Sequence, residues 1–206
     1  MARAMADPEF RSQQEERRRD PHIAPINEFV ARLRDRDGRG WLPEVAPLHG
    51  GIGARLLSIL RDPGPATQAG TGSGFLCVEN DDPTAQRQAE LFKDYGIEFS
   101  AVLPWNAYPW YINRAPNAAE LDAGAKVLCE LIPMLTALQV VLLQGTHAAD
   151  AWKRACKRQP ALAQIPVAES IHPGRQALWT PDPKIREARL QKQRDAYTKV
   201  AAILNA

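Results

Sequence analysis

Four short segments of the 206-residue chain carry polar side chains able to do chemistry, and each closes or follows an apolar run. They hold Asp62 in Leu60-Arg-Asp-Pro-Gly-Pro65, Asn106 after Glu98 to Trp105, His147 in Gly145-Thr-His147, and His172 in His172-Pro-Gly-Arg175. A carboxylate accepts hydrogen bonds, an imidazole donates or accepts near neutral pH, and a carboxamide presents an acceptor beside two donors. Taken singly, each also has a structural explanation. Asp, Pro and Gly together favour a turn, Asn106 can satisfy loop backbone, and a His before Pro can end a strand. Their shared placement is the distinguishing feature, because open parallel α/β sheets bind ligands at the loops outside the carboxyl ends of their strands.

The elements that must position these groups follow from periodicity. Ile26, Phe29, Val30 and Leu33 repeat at helical spacing and predict a helix over Ile23 to Leu33. From Gly53 onward, strands alternate with helices. The strands are Arg55 to Leu60, Glu98 to Trp105, Gln139 to Leu143 and Val167 to Ile171, with Gly72 to Cys77 a loop holding a short strand. The helices are Thr84 to Tyr95, a stretch capped by Asn117 and running to Ala137 across Pro133, His147 to Lys157, and a basic final helix from Pro183 to Leu204. This alternation predicts a three-layer α/β/α sandwich with a central, mainly parallel four-stranded sheet.

Composition narrows the classes. With 45% hydrophobic and 24% charged residues the chain can bury a core. Its three cysteines, Cys77, Cys129 and Cys156, lie far apart and are too few for a four-cysteine cluster. No apolar run spans a bilayer and no apolar signal core is visible, so a cytoplasmic location is expected. The net charge of +2 hides an asymmetry: residues 151–206 hold 11 Lys or Arg against 4 Asp or Glu, and the remainder is acidic. A basic end points to a polyanion partner or, equally, to a solvated helix face. Residues 1–12, containing Asp-Pro-Glu-Phe, read as vector-encoded. Residues 13–22 are charged without apolar spacing and are expected to be flexible, which leaves a single domain over 23–206.

Leu60-Arg-Asp-Pro-Gly-Pro65 resembles motif A of the uracil-DNA glycosylase superfamily, and Ile171-His-Pro-Gly-Arg175 resembles its His-Pro motif B. Phe75, thirteen residues after Asp62, matches the spacing of a base-stacking Phe, and Asn106 falls where the best-known branch has its base-reading Asn. The resemblance spans residues 45–205. It implies a DNA glycosylase that flips uracil out of DNA and hydrolyses its N-glycosidic bond, initiating base-excision repair.

Asp62 would then stabilise the sugar cation and orient water, and His172 would donate to O2 of the departing base. Phe75 would stack on the base, though it could equally fill core. Asn106 would pair with O4 and N3–H and reject the reversed pattern of cytosine. Pro63, Gly64, Pro65, Pro173 and Gly174 would lie along the flanking phosphates. Arg175, Gln176 and Leu178 sit on the segment that enters the minor groove. No cofactor and no metal is implied; the expected partner is uracil-containing DNA, single- or double-stranded, with no membrane role and a monomeric state. Gly64 stands where the best-known branch has a Tyr that blocks the thymine methyl, which implies a wider pocket mouth. The alternatives are a broader glycosylase acting on xanthine or hypoxanthine, a protein that binds uracil-DNA without turnover, and a small-molecule hydrolase on the same sheet.

Overall fold

The computed structural model describes residues 3–206, so Met1 and Ala2 of the segment read as vector-encoded lie outside the described residues. In chain order the helices are α1 (Pro8–Glu16), α2 (Ala24–Leu33), α3 (Pro83–Asp94), α4 (Ala118–Leu131), α5 (Thr146–Arg158), α6 (Arg175–Leu178) and α7 (Pro183–Leu204). The strands are β1 (Glu44–Val45), β2 (Leu56–Leu60), β3 (Phe75–Leu76), β4 (Val102–Asn106), β5 (Val140–Gln144) and β6 (Val167–Ser170).

The main sheet has the order β4-β2-β5-β6, and every pairing is parallel. Its strands are near-continuous apolar runs because helices cover both faces. Alternation along each strand then divides the core. Leu57, Ile59, Leu103, Trp105, Val141 and Leu143 face α2, α4 and α5, whereas Leu56, Val102, Val140, Leu142 and Ala168 face α3 and α7. The result is the three-layer α/β/α sandwich that the strand–helix alternation predicts. A small parallel pair, β1 with β3, stands beside it. None of the helices among the described residues is long and apolar enough to cross a membrane.

Capping sets most helix starts. Asp82 accepts from the amides of Thr84 and Ala85 at α3, Asp182 from those of Lys184 and Ile185 at α7, and Asn117 forms a capping box with Glu120 at α4. Two boundaries differ from expectation by more than one residue. The helix expected to reach Ala137 ends at Leu131, and Pro133 sits in a single tighter turn, since its missing N–H and its ring oppose continuation. The strand expected from Glu98 begins at Val102, where its partner Leu56 begins; Phe99–Ala101 form a tight turn instead.

The described N-terminal residues carry regular structure. The described part of residues 1–12 packs into the fold: Met5 is buried with Ala46, Phe75 and Cys77, and its amide donates to the Glu79 carbonyl. Gln13 to Glu16 complete α1, whose start is capped by Asp7 with Pro8 in the first turn, and the buried Gln14 accepts from the Leu48 amide. Residues 17–22 continue as hydrogen-bonded turns into α2.

Candidate active site

In the order β4-β2-β5-β6 the chain passes from β2 to β4 on one side and then crosses back past β2 to β5 on the other, so the direction of winding reverses between β2 and β5. A crevice opens at such a switch point, outside the carboxyl ends of the strands. Here it is a cleft of about 840 Å³ lined by Asp62 after β2, Asn106 at the end of β4, His147 at the start of α5 and His172 after β6. Four segments separated by as many as 110 residues therefore meet in one place. That volume is ample for a single nucleobase and lies within the usual range of ligand pockets.

Asp62 has only 3% of its side chain exposed and accepts a hydrogen bond from Nε of Arg61, whose own side chain is 41% exposed. Burial pushes its carboxyl above the ordinary carboxylate range. The hydrogen bond and charge of Arg61, the Arg114 backbone and the charge of His147 pull the other way.

The imidazole of His172 is oriented by its own loop. Gly174 donates its backbone N–H to Nδ1 at 3.0 Å, so that nitrogen must be the acceptor and a neutral ring carries its proton on Nε2. Burial, reinforced by the Arg61 charge, lowers its pKa and favours this neutral form. A Cβ at position 174 would stand 2.9 Å from Nδ1, so glycine there leaves the ring undisplaced. On the neighbouring loop, Gly145 has φ +97°, a conformation that lets the chain turn from β5 straight into α5 beneath His172.

Asn106 is 2% exposed, and its Oδ1 has no hydrogen-bond partner among the described residues. A buried carbonyl oxygen left so costs about 1–3 kcal/mol unless a ligand supplies a donor. Beside it, Gln88 of α3 and Gln144 of β5 also line the cleft. Both side-chain amides reach Ser58 Oγ at 2.9 Å, and Tyr197 of α7 donates to Gln144 Oε1 at 3.0 Å. This buried network ties four elements, α3, β2, β5 and α7, together under the cleft.

The remaining sequence-predicted positions divide. Pro63, Gly64, Pro65, Gly174, Arg175 and Gln176 line the cleft with Asp62, Asn106 and His172. Phe75, Pro173 and Leu178 do not. Phe75 is 2% exposed and packs with Met5, Ala46 and Cys77, the core-filling placement. Of β3 and the residue after it, Leu76 and Cys77 line the cleft. Pro173 is buried, and Leu178 is half-buried at the end of α6.

Sequence reasoning missed Arg61, Gln88, Gln144 and Trp179. Trp179 follows α6 and is 78% exposed, and Arg189 of α7 fixes its backbone by donating to the carbonyls of Ala177 and Trp179. Its signal was present: an aromatic residue in a polar stretch just ahead of Thr180-Pro-Asp-Pro183 has no apolar partner in the local pattern. No protein-family model and no curated protein sequence matches the chain.

Proposed function

We propose that this protein is a monofunctional DNA glycosylase of the uracil-DNA glycosylase type. The observation that carries the reading is one cleft holding a buried carboxylate, a neutral imidazole with Nε2–H as its free donor, and a buried carboxamide whose oxygen lacks a partner. Uracil offers N3–H to Asn106 Oδ1 and O4 to its amide nitrogen, whereas cytosine offers the reverse and leaves both protein groups opposed.

In the reaction the N1–C1′ bond breaks with its electron pair leaving on the base. Nε2–H of His172 donates to O2 and stabilises that anion as it forms. The Asp62 carboxylate stabilises the positive charge on the sugar and aligns the water whose oxygen adds to C1′. Its surplus proton passes to solvent or to the departing base. An abasic site and free uracil result. The basic C-terminal quarter, Arg175 on the cleft lining and the exposed Trp179 four residues further along the chain supply contacts suited to a polyanion carrying stackable bases.

A second reading, activity on other deaminated bases, is favoured by Gly64. It lines the cleft, and a Cβ placed on it meets nothing within 4 Å, so no side chain narrows that wall. Xanthine presents the same imide face as uracil and differs in size. Incubation with end-labelled single- and double-stranded oligonucleotides carrying uracil, xanthine or hypoxanthine, followed by alkali, tests both readings. Breaks at uracil support the first, and breaks at xanthine support the second. Retention of uracil-DNA without breaks supports a binding protein. Hydrolysis confined to free nucleosides supports a small-molecule hydrolase.

A further inference from the structure

We propose that Arg61 is a phosphate-operated latch on Asp62: in the free protein it holds the carboxylate, and a DNA phosphate beside the flipped nucleotide draws its guanidinium away. The inference rests on the glycosylase reading and assigns a positioning residue to it.

The geometry of the loop after β2 leads to this. Arg61 engages Asp62 through Nε alone, and neither of its terminal nitrogens is hydrogen-bonded among the described residues. A guanidinium presents five donors in a planar fork suited to bidentate phosphate binding, so its contact with Asp62 leaves most of that capacity unused. The loop itself has little else for an anion. Pro63 and Pro65 have no N–H, which removes two of the four amides from Asp62 to Pro65. Of the other cleft arginines, Arg189 is committed to the carbonyls of Ala177 and Trp179. Arg175, at the start of α6, makes no bond to Asp62, so Arg61 is the cleft arginine that both holds the carboxylate and keeps its two terminal nitrogens open to the backbone of a bound strand.

The exchange has a chemical consequence. A carboxylate clamped by a guanidinium is a weak partner for a sugar cation, because its charge is already balanced. Once a phosphate takes the guanidinium, the full charge of Asp62 faces C1′ and the water. Giving up one ion pair for another of similar geometry costs little, and a strand held across the cleft delivers its phosphate at high effective concentration. Asp62 is thereby unbalanced only when DNA is seated.

The test pairs a protein variant with a substrate variant. Each phosphate near the uracil is replaced in turn by a neutral methylphosphonate, and single-turnover cleavage is measured for wild type, Arg61→Ala and Arg61→Gln, with thermal melts confirming that each is folded. At one linkage the wild type should lose at least about tenfold, while both variants lose less than about twofold there. The variants should also show a salt dependence of binding shallower by about one phosphate.

A pH readout separates latching from a purely structural role. Asp62 is faced by Arg61 on its own loop, the Arg114 backbone and His147 of α5, and His172 also feels Arg61. Removing Arg61 takes away a charge that favours the Asp62 carboxylate, so the acid limb of subsaturating cleavage should move to higher pH in both variants. Equal methylphosphonate losses in all three proteins at every linkage would overturn the latch while leaving the glycosylase reading intact. A wild type that releases no base from uracil-DNA removes both.

Discussion

The backbone N–H of Gly174 points at Nδ1 of His172 from 3.0 Å, and this contact fixes which nitrogen of the ring can serve a ligand. The His-Pro-Gly sequence is therefore a local device: the histidine supplies the ring, and the glycine two residues on supplies the donor that sets its tautomer. Ala at 174 is compatible with the local backbone, φ −62° and ψ 146°, yet its Cβ would push on the ring. Gly174→Ala should fold normally and slow the chemical step about tenfold, with little change in binding. His172→Ala should lose about 10²–10³ in the same step. Single-turnover rates beside dissociation constants check both, and a change confined to the dissociation constant would move His172 from catalysis to recognition.

Selectivity is expected to turn on Gly64. Its φ of −82° and ψ of 168° are extended backbone that any residue adopts, and no atom lies within 4 Å of an added Cβ. Gly64→Tyr should therefore be accommodated and act by narrowing the cleft. Xanthine release should fall several-fold more than uracil release, with a hydroxyl-free Gly64→Phe behaving alike. Parallel loss of both activities in the two variants would show that the wall at 64 does not select by size.

Trp179 is the most exposed large apolar side chain among the described residues, and its backbone is braced by Arg189, which lines the cleft. A rigidly presented aromatic ring gains stacking with any base, so Trp179→Ala should weaken uracil-DNA binding by about 1–3 kcal/mol. The melting temperature should hold, because the side chain buries little. Fluorescence anisotropy at fixed salt measures the first quantity and calorimetry the second. Unchanged affinity would remove Trp179 from the DNA surface.

Stability should fall with acid before any ordinary carboxylate titrates. His49 is buried, its Nδ1 reaches the Phe99 carbonyl, Nε2 accepts from the Val78 amide, and burial depresses its pKa from 6.5 to about 4. The unfolded chain therefore takes up a proton between those pH values that the folded chain refuses. Stability is unaffected above pH 6.5 and is lost as pH drops toward 4, by about 3 kcal/mol for this group. His172 adds in the same direction, whereas Asp62, with its raised pKa, opposes the trend. Urea titrations at pH 7 and 4.5 should show the loss, and it should shrink in a His49→Gln variant.

Strand ends and turn residues made much of the site legible. Asp62, Asn106 and His172 each sit where an apolar run stops, and strand–helix alternation brings such stops to one edge. The sequence left Phe75 open between stacking and core filling because β3 is two residues long, and alternation sends Phe75 and Leu76 to opposite sides. A short apolar run carries no sign of which residue faces the cleft. The Gln88–Ser58–Gln144 network was invisible for a related reason. A Gln on α3 and another closing β5 look like polar breaks until sheet register places Ser58 between them. The N-terminus escaped notice because its order comes from distant partners, Glu79 and Leu48, rather than from its own periodicity.

The most direct measurement is release of free base from an oligonucleotide bearing one isotopically labelled uracil, comparing wild type with Asp62→Asn under single turnover with protein in excess. The wild type should liberate free uracil in step with abasic sites. The variant should bind the same DNA with similar affinity and release base more slowly by about 10²-fold or more. Equal release rates in the two proteins, or no free uracil from the wild type, would contradict the assignment of this cleft to N-glycosidic hydrolysis.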